Sequence, residues 1–354
     1  MARQNDLSNL VFRGDPRRDD TFSFAMQAVA RHFGKPDDYD KLYVVSGNAF
    51  APDIRQGEPE KSGWHVQGRG RNIDLVCAYL GLTFRPVVYS PQPGGIPPRP
   101  EIPEVLGQWQ KLYWRQPIAG LIRETIAHGG LVLSMGEWSS PDLLATEWGV
   151  VLSASHEGDM AGSASNGRPD NPIDFVRDGW IINAAPGGST LSHEALDMEI
   201  LRRASSRIAG VGERPLEPGP RKIVFGLAAM DAWITAMGRV PFCGQCGQDS
   251  YRCAANTAGA TINGSRAAAR YLLALADRVQ SDAAEHLITS AEHYEAIAKL
   301  LTPAIQDDGP ESYREFMGDA QRQTRHADQV LALVKQELAA AGVGIDGALL
   351  TTAA

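Results

Sequence analysis

The stretch Asp20-Thr-Phe-Ser-Phe-Ala-Met-Gln-Ala-Val-Ala-Arg-His-Phe-Gly34 decides how the front half reads. Phe22, Ala25, Met26, Val29 and Phe33 recur at helical spacing, Asp20 and Thr21 stand where a helix is capped, and Gly34 stands where one stops. The spacing predicts a helix from Phe22 to Phe33, and a second, short one at Ile73–Leu80. Downstream the period changes. Runs rich in β-branched and aromatic residues at Phe84–Tyr89, Leu131–Met135, Val150–Ala154 and Trp180–Asn183 are each bounded by turn residues and read as strands. An early helix followed by strands on long connections predicts an α+β fold, not a doubly wound sheet.

Two proline-rich stretches punctuate the chain. Ser90–Glu104 carries six prolines, too many for a helix or a central strand, and reads as a surface loop. Gly212–Arg221 carries Pro215, Pro218 and Pro220, and helical periodicity dominates after it. The expected division is therefore 1–211 for the α+β part, 212–221 for a linker and 222–345 for a helical bundle. Its helices are expected at Val224–Met237, Gly264–Val279, Asp282–Leu301 and Ser312–Ala341, the last stopping at Gly342.

With 354 residues the chain is long enough for two cores, and 43% hydrophobic with 21% charged residues is an ordinary globular balance. The formal charge of −8 argues against a nucleic-acid partner, which calls for a basic footprint. Arg13, Arg17 and Arg18 are interleaved with Asp15, Asp19 and Asp20 and read as a solvated arm. No apolar run approaches the ~18–20 residues that span a bilayer. Met1–Leu10 is polar, without the apolar core of a secretory signal, so the expected address is the cytoplasm.

Beyond these patterns, Thr21–Gly34 followed by Asp40-Lys-Leu-Tyr-Val-Val-Ser-Gly-Asn-Ala-Phe50 resembles the opening of papain-like proteins, in particular bacterial proteins similar to bacteriocin-leader peptidases and butirosin-type acyltransferases. Gly226-Leu-Ala-Ala-Met-Asp-Ala-Trp233, Ser265–Leu272 and Ala291-Glu-His-Tyr294 look like the helical extension of uncharacterised members of that group. The resemblance implies a papain-like front domain with a nucleophilic cysteine at the first helix's N-terminus. There the helix dipole favours a thiolate, and a strand histidine exchanges the proton. This sequence departs from both: the helix start offers Thr21 and Ser23, and the matching strand, Thr146–Leu152, offers Glu147 and Trp148, with His156 only at its far end. A hydroxyl needs a base, and Glu147 is the candidate, though a poor one. Thr21 and Ser23 also read as ordinary capping residues.

Cys243-Gly-Gln-Cys246, with Cys253 beyond it, can grip zinc through a tight turn, close a disulfide, or remain as plain thiols. Zinc needs a fourth ligand, and neither His193 nor His326 is selected by spacing. The fourth cysteine, Cys77, lies on the short helix at Ile73–Leu80. In the helical half, Glu285-His286 recurs as Glu292-His293, which reads as a solvated face, since the Glu-x-x-His pairs of a di-metal site are missing. Asp231 beside Trp233 suggests a polar group facing a cleft, or an ion pair with Arg266. Asn48, Trp64 and His65 (in the glycine-rich stretch Gly63–Gly70), Trp148, Asp231 and Trp233 are the ligand-binding candidates.

Three readings compete. The first is a non-catalytic papain-like protein that binds a small molecule or peptide in a cleft between its two parts. The second is a divergent acyltransferase or amidohydrolase using Ser23 or Thr21. The third is a docking module for a pathway partner or a second copy of the chain.

Overall fold

The computed structural model describes residues 10–11, 20–36, 38–56, 72–87, 110–140, 143–187, 191–211, 214–215, 222–237, 250–302 and 323–352. In chain order these form α1 (Thr21–His32), α2 (Tyr39–Val45), β1 (Asp53–Gln56), α3 (Ile73–Leu80), β2 (Leu82–Pro86), a π-turn (Lys111–Arg115) and α4 (Gln116–Ala127). Strands β3 (Leu131–Ser140), β4 (Leu143–Ala154), β5 (Met160–Ser163) and β6 (Asn171–Ala184) follow, then α5 (His193–Ile208), β7 (Arg214–Pro215) and β8 (Lys222–Phe225). Helices α6 (Gly226–Met237), α7 (Ser250–Ala276), α8 (Ser281–Leu301) and α9 (Gln323–Thr352) close the order. The class is α+β, as the mixture of periods requires.

The contacts divide the chain into two units, each from several stretches. One takes Thr21–Leu42 and Ile73–Leu191; the other takes Asp20, Tyr43–Asn72 and Ser192–Ala354. This differs from the division expected at the proline-rich stretch. Strand pairing explains the difference: β1 pairs with β8, Asp53 opposite Phe225 and Gln56 opposite Lys222, which draws residues 43–72 to the helices. Helix α5 joins the same unit by packing on α9. Arg214 and Pro215, expected in a linker, pair as an edge strand with Ile223 and Lys222, where proline is tolerated.

In the first unit five antiparallel strands run in the order β2-β6-β3-β4-β5. The start of β6 also pairs with β5, Ala161 opposite Pro172, so four of the strands roll closed on themselves. Alternation along β4 sorts its side chains. Val151 joins Val132, Ile181, Trp138 and the α4 residues Ala119 and Ile122 in one buried cluster. On the other face, Trp148 meets Phe22 of α1 edge to face, with ring centroids 5.2 Å apart. Gly149 is demanded by packing: a Cβ there would overlap the Trp138 ring and come within 2.6 Å of the Ser163 carbonyl.

In the second unit α8 packs against both α7 and α9, and α9 also against α5 and α6. The helix expected to begin at Val224 begins two residues later. Ile223, Val224 and Phe225 are instead a buried strand, and Gly226 turns the chain at φ +55°, so close to the α5 carbonyls of Arg207 and Ile208 that a Cβ would overlap them. Helix α7 starts earlier than expected, at Ser250. The expected stop at Gly342 is also corrected: α9 continues through it to Thr352. Gly342 sits against Ile208, and Gly344 sits so close to Ser290 that a side chain would collide with its hydroxyl. These glycines set the closeness of helix packing and terminate nothing. The expected start at Ser312 lies outside the described residues.

Candidate functional site

The start of α1 and strand β4 do come together. The Trp148 backbone N–H donates to the Thr21 hydroxyl across 3.1 Å, and the Trp148 ring is buried against Phe22. Ser23, in the first turn of the same helix, is fully buried. Glu147 does not join them. It shares the face of Gly149 and Val151, the face that packs on α4, whereas Trp148 shares the face that packs on α1. Its carboxylate accepts from the Ser165 backbone N–H at 3.0 Å, and its carbonyl accepts from the Trp138 indole at 3.0 Å. Burial raises the Glu147 carboxyl above its usual value, against the opposing pull of the Ser165 hydrogen bonds. The expected pairing of Thr21 or Ser23 with Glu147 as base is therefore corrected, because adjacent strand residues point to opposite faces. His156 lies exposed in the turn after β4.

In the second unit Asn48 is committed to the protein itself. Its Nδ2 donates to Asp20 at 3.2 Å, and its Oδ1 accepts from Arg207 Nη2 at 3.2 Å. Arg207 also pairs with Asp53 at 3.5 Å and lies 5.2 Å from the centre of the Phe225 ring. Burial lowers the Arg207 guanidinium from its usual value, and Asp53, then Tyr43 and Asp20, push it back up. Asp20, Asn48, Asp53 and Arg207 are all buried, a polar knot inside the helical unit. A second tie joins α5 to α7: the Tyr271 hydroxyl donates to Asp197 at 2.7 Å, and Arg278 pairs with the same carboxylate at 2.9 Å.

The remaining candidates separate. Asp231 is exposed and paired with Lys335 at 2.5 Å, which replaces the expected buried pair with Arg266, itself exposed. Trp233 is buried, and its indole N–H has no acceptor among the described residues. His293 pairs with Glu337 at 2.6 Å, a neighbour on α9 and not on its own helix. Trp64, His65, Cys243 and Cys246 lie outside the described residues, and Cys253 is described only as part of α7. No group of three or more metal-ligating side chains occurs among the described residues. Cys77 is buried on α3 and its thiol is pushed up to about 12, first by burial and then by Asp74.

Sequence reasoning missed the two ties through α5. The signal was there: Asp197 and Arg207 fall on the same stripe as Ile200, Leu201, Ala204 and Ile208, charged residues at apolar positions of one helix. Among the described residues no helix is long and apolar enough to cross a membrane. The chain matches no family model and no curated protein.

Proposed function

We propose that this chain is a non-catalytic protein of papain-like descent that binds a small molecule or peptide. The observation that carries the reading is the Thr21–Trp148 contact. The hydroxyl at the helix start accepts a backbone N–H, a tryptophan packed on Phe22 occupies the strand position beside it, and the neighbouring carboxylate leaves by the opposite face of the sheet. A hydroxyl nucleophile needs a base within hydrogen-bond reach to take its proton. Neither Trp148 nor Glu147 serves, and Ser23 is fully buried. These facts weigh against the acyltransferase or amidohydrolase reading.

The test is covalent labelling. The purified chain, incubated with a fluorophosphonate and weighed intact, is expected to gain no adduct. An adduct that disappears in Thr21→Ala or Ser23→Ala would overturn the non-catalytic reading.

The docking reading draws on one separate observation: Leu333, Val343 and Leu350 on α9 are exposed. A chain that sediments as a monomer at all accessible concentrations would remove self-association from consideration.

A further inference from the structure

The turn from β5 to β6 carries Asn166-Gly167, one of two Asn-Gly pairs in the sequence. Such a pair is chemically labile. The glycine nitrogen can attack the asparagine Cγ, because glycine has no side chain in the way and adopts the backbone angles that the attack needs. The nitrogen gives its proton to solvent as the new C–N bond closes a cyclic imide. The Cγ–Nδ2 bond breaks, and the nitrogen leaves with a solvent proton as ammonia. Water then opens the ring to aspartate or isoaspartate. In the folded chain each participant is held elsewhere. Asn166 Nδ2 donates to Asn171 Oδ1 at 2.9 Å, and Asn171 Nδ2 donates back to Asn166 Oδ1 at 2.8 Å. Asn166 Oδ1 also accepts from the Arg168 N–H at 3.2 Å, and the Gly167 N–H donates to the Ala164 carbonyl at 3.2 Å.

The geometry points to Asn166 as a site of spontaneous deamidation that its amide pair with Asn171 holds closed in the folded chain. Asn171 is fully buried, and its Nδ2 donates to the Arg168 carbonyl at 3.0 Å as well, which fixes the way its amide faces. It stands at the seam of the strand roll, opposite Gly162. To react, Asn166 must bring its Cγ within roughly 3–3.5 Å of the Gly167 nitrogen in line for attack, which breaks both bonds to Asn171. Gly167 must also leave Ala164. The product suits the turn badly: an aspartate at 166 sets a carboxylate oxygen against Asn171 Oδ1, acceptor facing acceptor. The same turn anchors Glu147 through the Ser165 N–H, one residue before. The other pair, Asn263-Gly264, lies inside α7, where a Cβ on Gly264 would come within 3.0 Å of the Ala49 carbonyl. Its release requires α7 to come away.

The full chain is incubated in warm, mildly alkaline buffer, and the peptides holding Asn166 and Asn263 are weighed for the exchange of ammonia for water. In the folded parent both are expected to change slowly, and in strong urea both quickly. Asn171→Ala removes two of the bonds on Asn166, each worth roughly threefold to tenfold in an equilibrium. Asn166 is therefore expected to deamidate roughly tenfold to a hundredfold faster in the variant, while Asn263 keeps its parent rate. An increase at Asn166 under about threefold, the least that one bond supplies, overturns the proposal. Where both sites accelerate together the variant has unfolded, and the parent alone decides. At urea concentrations below the unfolding transition, release of a local pair depends little on urea, so Asn166 is expected to react ahead of Asn263. If both sites instead follow the globally unfolded fraction in step, the pair with Asn171 is not what holds the reaction off, and the proposal is overturned.

Discussion

Replacing Arg207 by methionine keeps much of the side chain's apolar stem and removes the guanidinium. At 3.5 Å from Asp53, in a region of effective dielectric near 20, the lost attraction is roughly 5 kcal/mol. Much of that attraction offsets the desolvation of Arg207, so it is not the cost of the substitution. The cost comes from what stays behind: a buried Asp53 carboxylate without its guanidinium and an Asn48 oxygen without its donor. Breaking a buried pair in this way is expected to destabilise the chain by about 3–5 kcal/mol. Asp53→Asn removes the abandoned charge. In that background Arg207→Met should cost only about 1–2 kcal/mol, the share of the hydrogen bond to Asn48. The four chains of the cycle are compared by urea denaturation followed by far-ultraviolet circular dichroism at neutral pH. A coupling of about 2–3 kcal/mol is expected. If Arg207→Met costs under about 1 kcal/mol, or costs the same in both backgrounds, the knot is not electrostatic in origin and the argument fails.

Glu147 supplies a pH-dependent prediction. Burial raises its carboxyl, so the folded chain holds this proton more tightly than the unfolded chain does. Its contribution to stability is complete below the ordinary glutamate value of about 4.3 and is lost as pH rises through the raised folded value. Glu147→Gln keeps an acceptor for the Ser165 N–H at every pH. It should flatten the stability profile from acid to neutral and be at least as stable as the parent at neutral pH; parallel profiles for parent and variant would refute the assignment. Ser134 is fully buried, and its hydroxyl has no partner among the described residues. It stands between Gly149 of β4 and Gly179 of β6, so Ser134→Ala should gain about 1 kcal/mol in denaturant unfolding; a loss of that size would show the hydroxyl to be bonded.

What the sequence announced, and what it withheld, follows from the range of the interactions involved. Helices α1 and α3 were legible because their signals are local: an apolar stripe, a polar start and a glycine just beyond, Gly34 and Gly81. Gly342 carried the same signal and misled, because its meaning lies in Ile208, far off in sequence. The short apolar run at Val224 suits helix and strand alike, and only the partner β1 decides between them. The candidate site failed at the same point. The structure does bring Trp148 to Thr21 at the start of α1. Which of Glu147 and Trp148 faces the helix depends on strand register, and one step along a strand reverses it.

The same register argument says what the tryptophan does. A histidine beside the helix start would need a solvated hydroxyl to act on. Here the aromatic ring closes against Phe22 while its backbone N–H takes up the Thr21 oxygen, so the two atoms nearest the expected chemistry are spent on holding α1 to β4. Edge-to-face aromatic pairs contribute about 0.5–1.5 kcal/mol beyond the area they bury, and a neutral hydrogen bond adds about as much. Interactions of that size fix a helix to a sheet.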